Sequence, residues 1–396
     1  MSDRRSFIKS AGLAVLPGIT PIIPAIANVS PAAFDRVDEK PWTTKINFVS
    51  DGEILSPRDY VNRLVEIDRK SAIESDSYGS GGPVAALEKK FASITGKQKA
   101  VYMPTGTMAN QFAIAALSGA NTKVFVQETS HVYRDEADAA QSVHNKRLIP
   151  LAKGETYFTL DDLRAAITYH NDEEVFRSGI GAVSIENPVR RSNGAQIPLE
   201  DLKKISEWCR GNNIKLHLDG ARLFLAAAYS GVPIKTYCSL FDTVYISLYK
   251  YFGATGGAVL CGDAELIEKM EHQIKIFGGT MYQSWPQAAM ALSNVDGFES
   301  RFKSVVQKSA GIFAVINEMP EIKITPWPNG SNIFQMKFAE GISTKKFSET
   351  MSSRFDILIS GYLRDGIGRL AVNESILNRS EPDIARAFKE SLAAAK

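Results

Sequence analysis

The chain has 396 residues, 23% charged and 44% hydrophobic, ordinary globular values that exclude a disordered or low-complexity protein and suggest about two or three folding units. Lys and Arg number 46 against 44 Asp and Glu, a formal charge of +2, and Arg4, Arg5 and Lys9 against Asp3 account for all of it. A neutral remainder argues against a dedicated nucleic-acid or acidic-membrane surface, which draws on clustered basic residues, and favours a small-molecule partner.

Residues 1–27 place Arg4-Arg5-Ser6-Phe7-Ile8-Lys9 ahead of a weakly apolar run and end in Ala25-Ile26-Ala27, a small-residue cleavage pattern. The segment resembles a twin-arginine export signal, with a periplasmic mature protein as the expectation. Pro17, Pro21 and Pro24 interrupt the apolar run, which is also short for a spanning helix. Over 28–80 the lead-in is polar until Ser56-Pro57, an N-cap and first-turn proline, opens a helix with Val61, Leu64 and Val65 at near-helical spacing. A second helix follows with Leu87, Phe91 and Ile94 on one face. Between them, Tyr78-Gly79-Ser80-Gly81-Gly82-Pro83 suits either a surface turn or close approach to a ligand or another subunit.

From Lys99, short apolar runs at Ala100–Met103, Lys123–Val126, Ala182–Ile185, Ile214–Leu218, Thr243–Leu248 and Ala258–Cys261 alternate with helical patterns. That rhythm predicts an α/β fold with a mainly parallel central sheet covered by helices, over about 81–300. A helical stretch at Gln287–Met319 then leads to strand patterns at Ser331–Lys337, Phe355–Ser360 and Gly368–Val372 and a helix begun by Ser380, a smaller α+β domain over 301–396. Cys209, Cys238 and Cys261 show no C-x-x-C and no histidine at zinc spacing. Free buried thiols are expected, and no metal site.

In parallel sheets ligands bind at the carboxyl ends of strands. Three such ends carry chemistry. Pro104-Thr105-Gly106-Thr107 follows a strand and opens an apolar helix, so helix-start amides, the Gly106 backbone and the Thr107 hydroxyl can cradle a phosphate, although an ordinary Thr-capped helix reads the same way. Asp219 ends the next informative strand, in H-L-D-G-A-R. Lys250 ends another, 31 residues on, before aromatic and small residues that would lower its pKa and make it a nucleophile. A carboxylate for a pyridinium nitrogen and an amine for an aldehyde point together to pyridoxal phosphate. Arg222 could hold the cofactor's phenolic oxygen or pair with Asp219.

With these segments, the chain resembles the low-specificity L-threonine aldolases within the β-eliminating lyase group of fold-type I pyridoxal phosphate enzymes. Ser184-Ile185-Glu186-Asn187, Ile197-Pro198-Leu199-Glu200 and Phe277-Gly278-Gly279-Thr280-Met281 extend the likeness from about Asn47 to the C-terminus. The resemblance implies that His131 stacks on the cofactor ring and acts as a base, that Arg369 binds the substrate carboxylate with Ser50 as a second contact, and that the protein is a homodimer or homotetramer. It implies aldol cleavage of a threonine-like β-hydroxy-α-amino acid to glycine and an aldehyde; a β-eliminating lyase or racemase on the same frame is the alternative. Three departures stand out: Pro188-Val189 where the family carries Thr-His, Tyr282 where an arginine often follows, and Asp138-Ala139 in place of a glycine pair. Without the histidine, His131 or an ordered water is the expected base.

Overall fold

A computed structural model describes residues 45–396; the export-signal reading lies outside the described residues. The six apolar runs form β2 (Lys99–Met103), β3 (Lys123–Gln127), β5 (Ile180–Glu186), β6 (Lys215–Asp219), β7 (Thr243–Ser247) and β8 (Ala258–Gly262), joined in one seven-stranded sheet by β4 (Arg147–Leu151) and preceded in the chain by β1 (Ile46–Asn47). Their order in the sheet is β2-β8-β7-β6-β5-β3-β4. Only β8 runs antiparallel to its neighbours, so the sheet is mainly parallel. Every residue of β3, β7 and β8 is buried, which is why these strands read as continuous apolar runs instead of alternating ones. β4 escapes that pattern. It is an edge strand carrying Pro150 and an exposed Arg147, and proline is tolerated only where one side of the ladder is free.

The helical stretch near Gln287–Met319 divides into Trp285–Val295 and Phe298–Ile316, with Gly297 (φ 70°) in the left-handed region between them. A second, four-stranded antiparallel sheet follows, ordered β12-β13-β10-β9, from β9 (Ile322–Pro326), β10 (Ile333–Phe338), β12 (Leu363–Arg364) and β13 (Ile367–Ala371). β11 (Ile357–Leu358) pairs instead with β1, in parallel. Helix α1 (Pro57–Lys70) begins as expected, with the Ser56 hydroxyl accepting the Asp59 N–H, yet none of its residues is buried. In α2 (Gly82–Thr95), Leu87 and Phe91 are buried as the spacing predicts. The three cysteines are free and buried. Among the described residues, no helix is long and apolar enough to cross a membrane.

An aromatic cluster sits directly behind the lysine segment. Phe252 packs on Phe224 at 5.0 Å and on Phe298 at 5.2 Å between ring centroids, contacts worth roughly 1 kcal/mol each beyond area burial. Tyr251 and Phe252 therefore anchor the backbone on which Lys250 stands.

Candidate active site

The registers of β5, β6 and β7 align Glu186, Asp219 and Tyr245 in one row at the carboxyl ends of the strands. Asp219 is 3% exposed. One of its oxygens accepts the Ala221 N–H at 3.1 Å and the other the Asn110 side-chain amide at 3.0 Å. Lys250 lies just beyond β7, where burial, reinforced by the positive charge of Arg222, brings its ammonium down to about 8 against the pull of Asp219, Asp51 and Glu186. Burial and the charge of Asp219 push the Glu186 carboxyl up, although its oxygens accept the N–H groups of Arg190 and His131.

Two cavities meet at Lys250. One, of about 310 Å³, is lined by Gly106, Thr107, His131, Glu136, Asp219 and Lys250. The other, of about 490 Å³, shares His131, Tyr249 and Lys250 and opens on Ser50, Asp51, Asp135, Arg190 and Arg222. His131 stands on the shared wall. Its Nδ1 lies 3.0 Å from Glu136 Oε1, and that oxygen also accepts the Asn110 amide at 2.7 Å. The bond to Glu136 raises the His131 pKa, and burial raises that of Glu136, whose second oxygen has no hydrogen-bond partner.

The polarity of this network is determined. Asn110 spends both amide hydrogens on Glu136 and Asp219, so its oxygen must accept from His217 Nε2, 2.9 Å away. His217, fully buried and pushed down to about 4 by desolvation, is neutral, and its Nδ1 accepts from the Thr243 hydroxyl at 2.9 Å. Each donor therefore meets an acceptor from Thr243 through to Glu136.

Of the residues expected from sequence, Lys250, Asp219, His131, Gly106 and Thr107 line one cavity. Helix α3 (Gly106–Ser118) is capped by Thr105, whose hydroxyl accepts the Met108 N–H. A Cβ on Gly106 would lie 2.0 Å from the Tyr245 hydroxyl, so only glycine brings the backbone this close. Of the two roles open to Arg222, pairing with Asp219 is not seen: its Nε donates to Asp51 Oδ2 at 2.8 Å. Asp51 hangs in the loop after β1, close enough to out-compete the strand-end carboxylate. Ser50 reaches the second cavity, but its hydroxyl donates to the Gly52 carbonyl at 2.7 Å. Arg369, on β13, is exposed and makes no hydrogen bond or ion pair among the described residues. Desolvation lowers its pKa, with Arg190, Arg222 and Arg364 pushing the same way and Asp51 opposing. Val189 is fully buried with its N–H on the Ala195 carbonyl.

Asn110, Glu136, Asp51, Gly52 and Arg190 were not singled out from sequence. Asn110 lies one helical turn into α3, which points it back at the sheet. Gly52 had no legible signal, yet a Cβ there would lie 2.4 Å from the Lys250 carbonyl oxygen.

Pyridoxal phosphate fits these residues. Lys250 supplies a largely desolvated amine, Asp219 a fixed carboxylate for the ring nitrogen, and the start of α3 a close-approach backbone with the Thr107 hydroxyl for the phosphate. The sequence matches the beta-eliminating lyase family over residues 66–337. It is 35% identical over 262 residues to a low-specificity L-threonine aldolase of Candida albicans, covering 65% of this chain and 68% of that protein. It is 33% identical over 223 residues to the alanine racemase TOXG of Cochliobolus carbonum, covering 56% of each, so the chain matches less than two thirds of that relative's length. A solved structure from Listeria monocytogenes EGD-E, provisionally assigned as an L-allo-threonine aldolase, superposes with a TM-score of 0.72 at 26% identity, covering 89% of this chain and 98% of that one. The chain belongs to the beta-eliminating lyase family and is a pyridoxal phosphate-dependent lyase of fold type I.

Proposed function

We propose that the protein cleaves a threonine-like β-hydroxy-α-amino acid to glycine and an aldehyde. The observation that carries this reading is the junction of the two cavities at Lys250 and His131, one suited to the cofactor and the other open to an amino acid. Bound pyridoxal phosphate supplies an electron sink for the charge that develops at the substrate α-carbon. Asp219, held by Asn110 and the Ala221 N–H, keeps an anion fixed for the ring nitrogen. Glu136 engages His131 Nδ1, which leaves Nε2 to accept the β-hydroxyl proton as the Cα–Cβ bond breaks. Val189 is buried and apolar, so it takes no proton. Arg369, with no ion pair among the described residues, and Ser50 serve the substrate carboxylate, with Arg222 held by Asp51.

Incubating the loaded enzyme with L-threonine, L-allo-threonine, L-cysteine and L-alanine tests the reading. Glycine from a β-hydroxy amino acid supports it; glycine from none of them refutes it. The second reading, elimination or racemisation with Lys250 as the α-proton base, is favoured by the lowered Lys250 pKa and the likeness to an alanine racemase. Pyruvate with sulfide, or D-alanine, would be its product.

The same reading includes a homo-oligomer, since α1 buries nothing and leaves Val61 57% and Val65 43% exposed. Val61→Asp with Val65→Asp should reduce the mass seen by light scattering. It also includes export to the periplasm by the twin-arginine route, supported by the Arg4-Arg5 segment; a fusion reporter confined to the cytoplasm would refute it.

A further inference from the structure

After Glu186-Asn187, where the family carries its histidine, this chain buries Val189 and sets Arg190 in the wall of the substrate cavity, with Arg191 on the Asp135 carboxylate beside it. The Arg190 N–H is tied to Glu186 Oε1 at 2.9 Å. Its Nη1 reaches Asp135 Oδ2 at 2.9 Å, and Arg191 Nε reaches the same oxygen at 2.9 Å. One carboxylate is thus shared by two guanidinium groups, and their pull, Arg191 foremost, holds Asp135 below the usual carboxylate range. Arg190 and Asp135 line the cavity that contains Lys250 and His131.

The charged groups lining that cavity balance, Arg190, Arg222 and Lys250 against Asp51, Glu53 and Asp135; Arg191, which shares Asp135 with Arg190, and Arg369, with no ion pair among the described residues, leave two cations over beside it. Arg364 adds like charge toward Arg369 but is offset by its own neighbour Asp365. An amino acid α-carboxylate balances one of the surplus cations. The second lies at Asp135, which Arg190 and Arg191 share. A single negative charge matches it; a phosphate, carrying nearly two, does not.

Building on the aldol-cleavage reading, we propose that the substrate is a β-hydroxy-α-amino acid with a second carboxylate beyond Cβ, recognised by Arg190 with Arg191 and Asp135 holding it in place. The reaction balances without an oxidant. The Cα–Cβ bond breaks, its electron pair stays with Cα and is protonated to give glycine, and the β-hydroxyl loses its proton as Cβ–O becomes a carbonyl. The second product is an oxo-acid anion, glyoxylate when the substrate is 3-hydroxyaspartate.

The test has a kinetic and a binding arm. Holoenzyme should turn over L-3-hydroxyaspartate, in one of its two β-configurations, with kcat/KM about tenfold or more above that for L-threonine or L-allo-threonine, the difference lying mainly in KM. Arg190→Gln should lower that preference by about tenfold, and Arg190→Lys should keep part of it. Independently of turnover, L-aspartate should perturb the cofactor absorbance at lower concentration than L-alanine, and the gap should close in Arg190→Gln and shrink with salt. Equal or better use of threonine, or an aspartate preference that survives Arg190→Gln, overturns the proposal. Glycine from no β-hydroxy amino acid would instead refute the aldol-cleavage reading, while the aspartate titration would still decide the anion site.

Discussion

At Glu136 one oxygen faces both His131 and Asn110 while the other has no partner, so this carboxyl decides how His131 holds its proton. An anion on Nδ1 raises the His131 pKa, and a histidine acting as base must be neutral, so activity falls as pH drops through that pKa. Glu136→Gln should cut kcat about tenfold to a hundredfold and move the acid limb of the pH–rate profile to lower pH. A purely structural role would lower the rate without moving the limb. Lys250 gives the converse sign. Its folded pKa, about 8, lies below its ordinary value of 10.5, so in that interval the unfolded chain binds more protons and the stability of cofactor-free protein rises with pH. Lys250→Met should flatten this rise between about pH 8 and 10 in denaturant titrations, and should abolish the absorbance of covalently held cofactor. Asp219 and Lys250 were legible because the first ends an apolar strand and the second closely follows one. Asn110 and Glu136 were not, because their roles exist only once α3 is laid beside the turn that carries His131.

The start of α3 shows what an element contributes beyond its residues. Cap, glycine and hydroxyl are readable in P-T-G-T, but the reason for glycine is the Tyr245 hydroxyl from a strand far along the chain, 2.0 Å from where a Cβ would stand. Gly106→Ala must displace Tyr245 or the helix start; cofactor affinity, followed by absorbance titration, should drop by about tenfold or more with the fold intact by circular dichroism. The buried strands were equally readable, since burial on both faces makes them uniformly apolar. β4, β9 and β12 were not. β4 carries a proline on an edge, β9 is only five residues and ends in Pro326, and β12 has two residues, too few for any period. The apolar spacing of α1 was read correctly as helical, yet none of its residues is buried, because periodicity reports a face and not what covers it.

For the molecule as a whole, a cofactor that binds only the folded chain adds to its stability by mass action. Excess pyridoxal phosphate at a hundred times its Kd should stabilise the protein by about 2.7 kcal/mol, read as a concentration-dependent Tm, with a smaller rise in Lys250→Met. The parallel pairing of Ile46 with Ile357, and the Asn47 N–H on the Ser375 hydroxyl across 328 positions, bear on the order in which such a protein becomes competent. Ser50, Asp51 and Gly52, which wall the lysine cavity, depend on a strand whose neighbour, Ile357–Leu358, is made long after it in the chain. A nascent chain can complete the seven-stranded sheet on the ribosome and still lack one side of its reactive pocket, so the lysine is guarded by its own chain only after synthesis has passed residue 375.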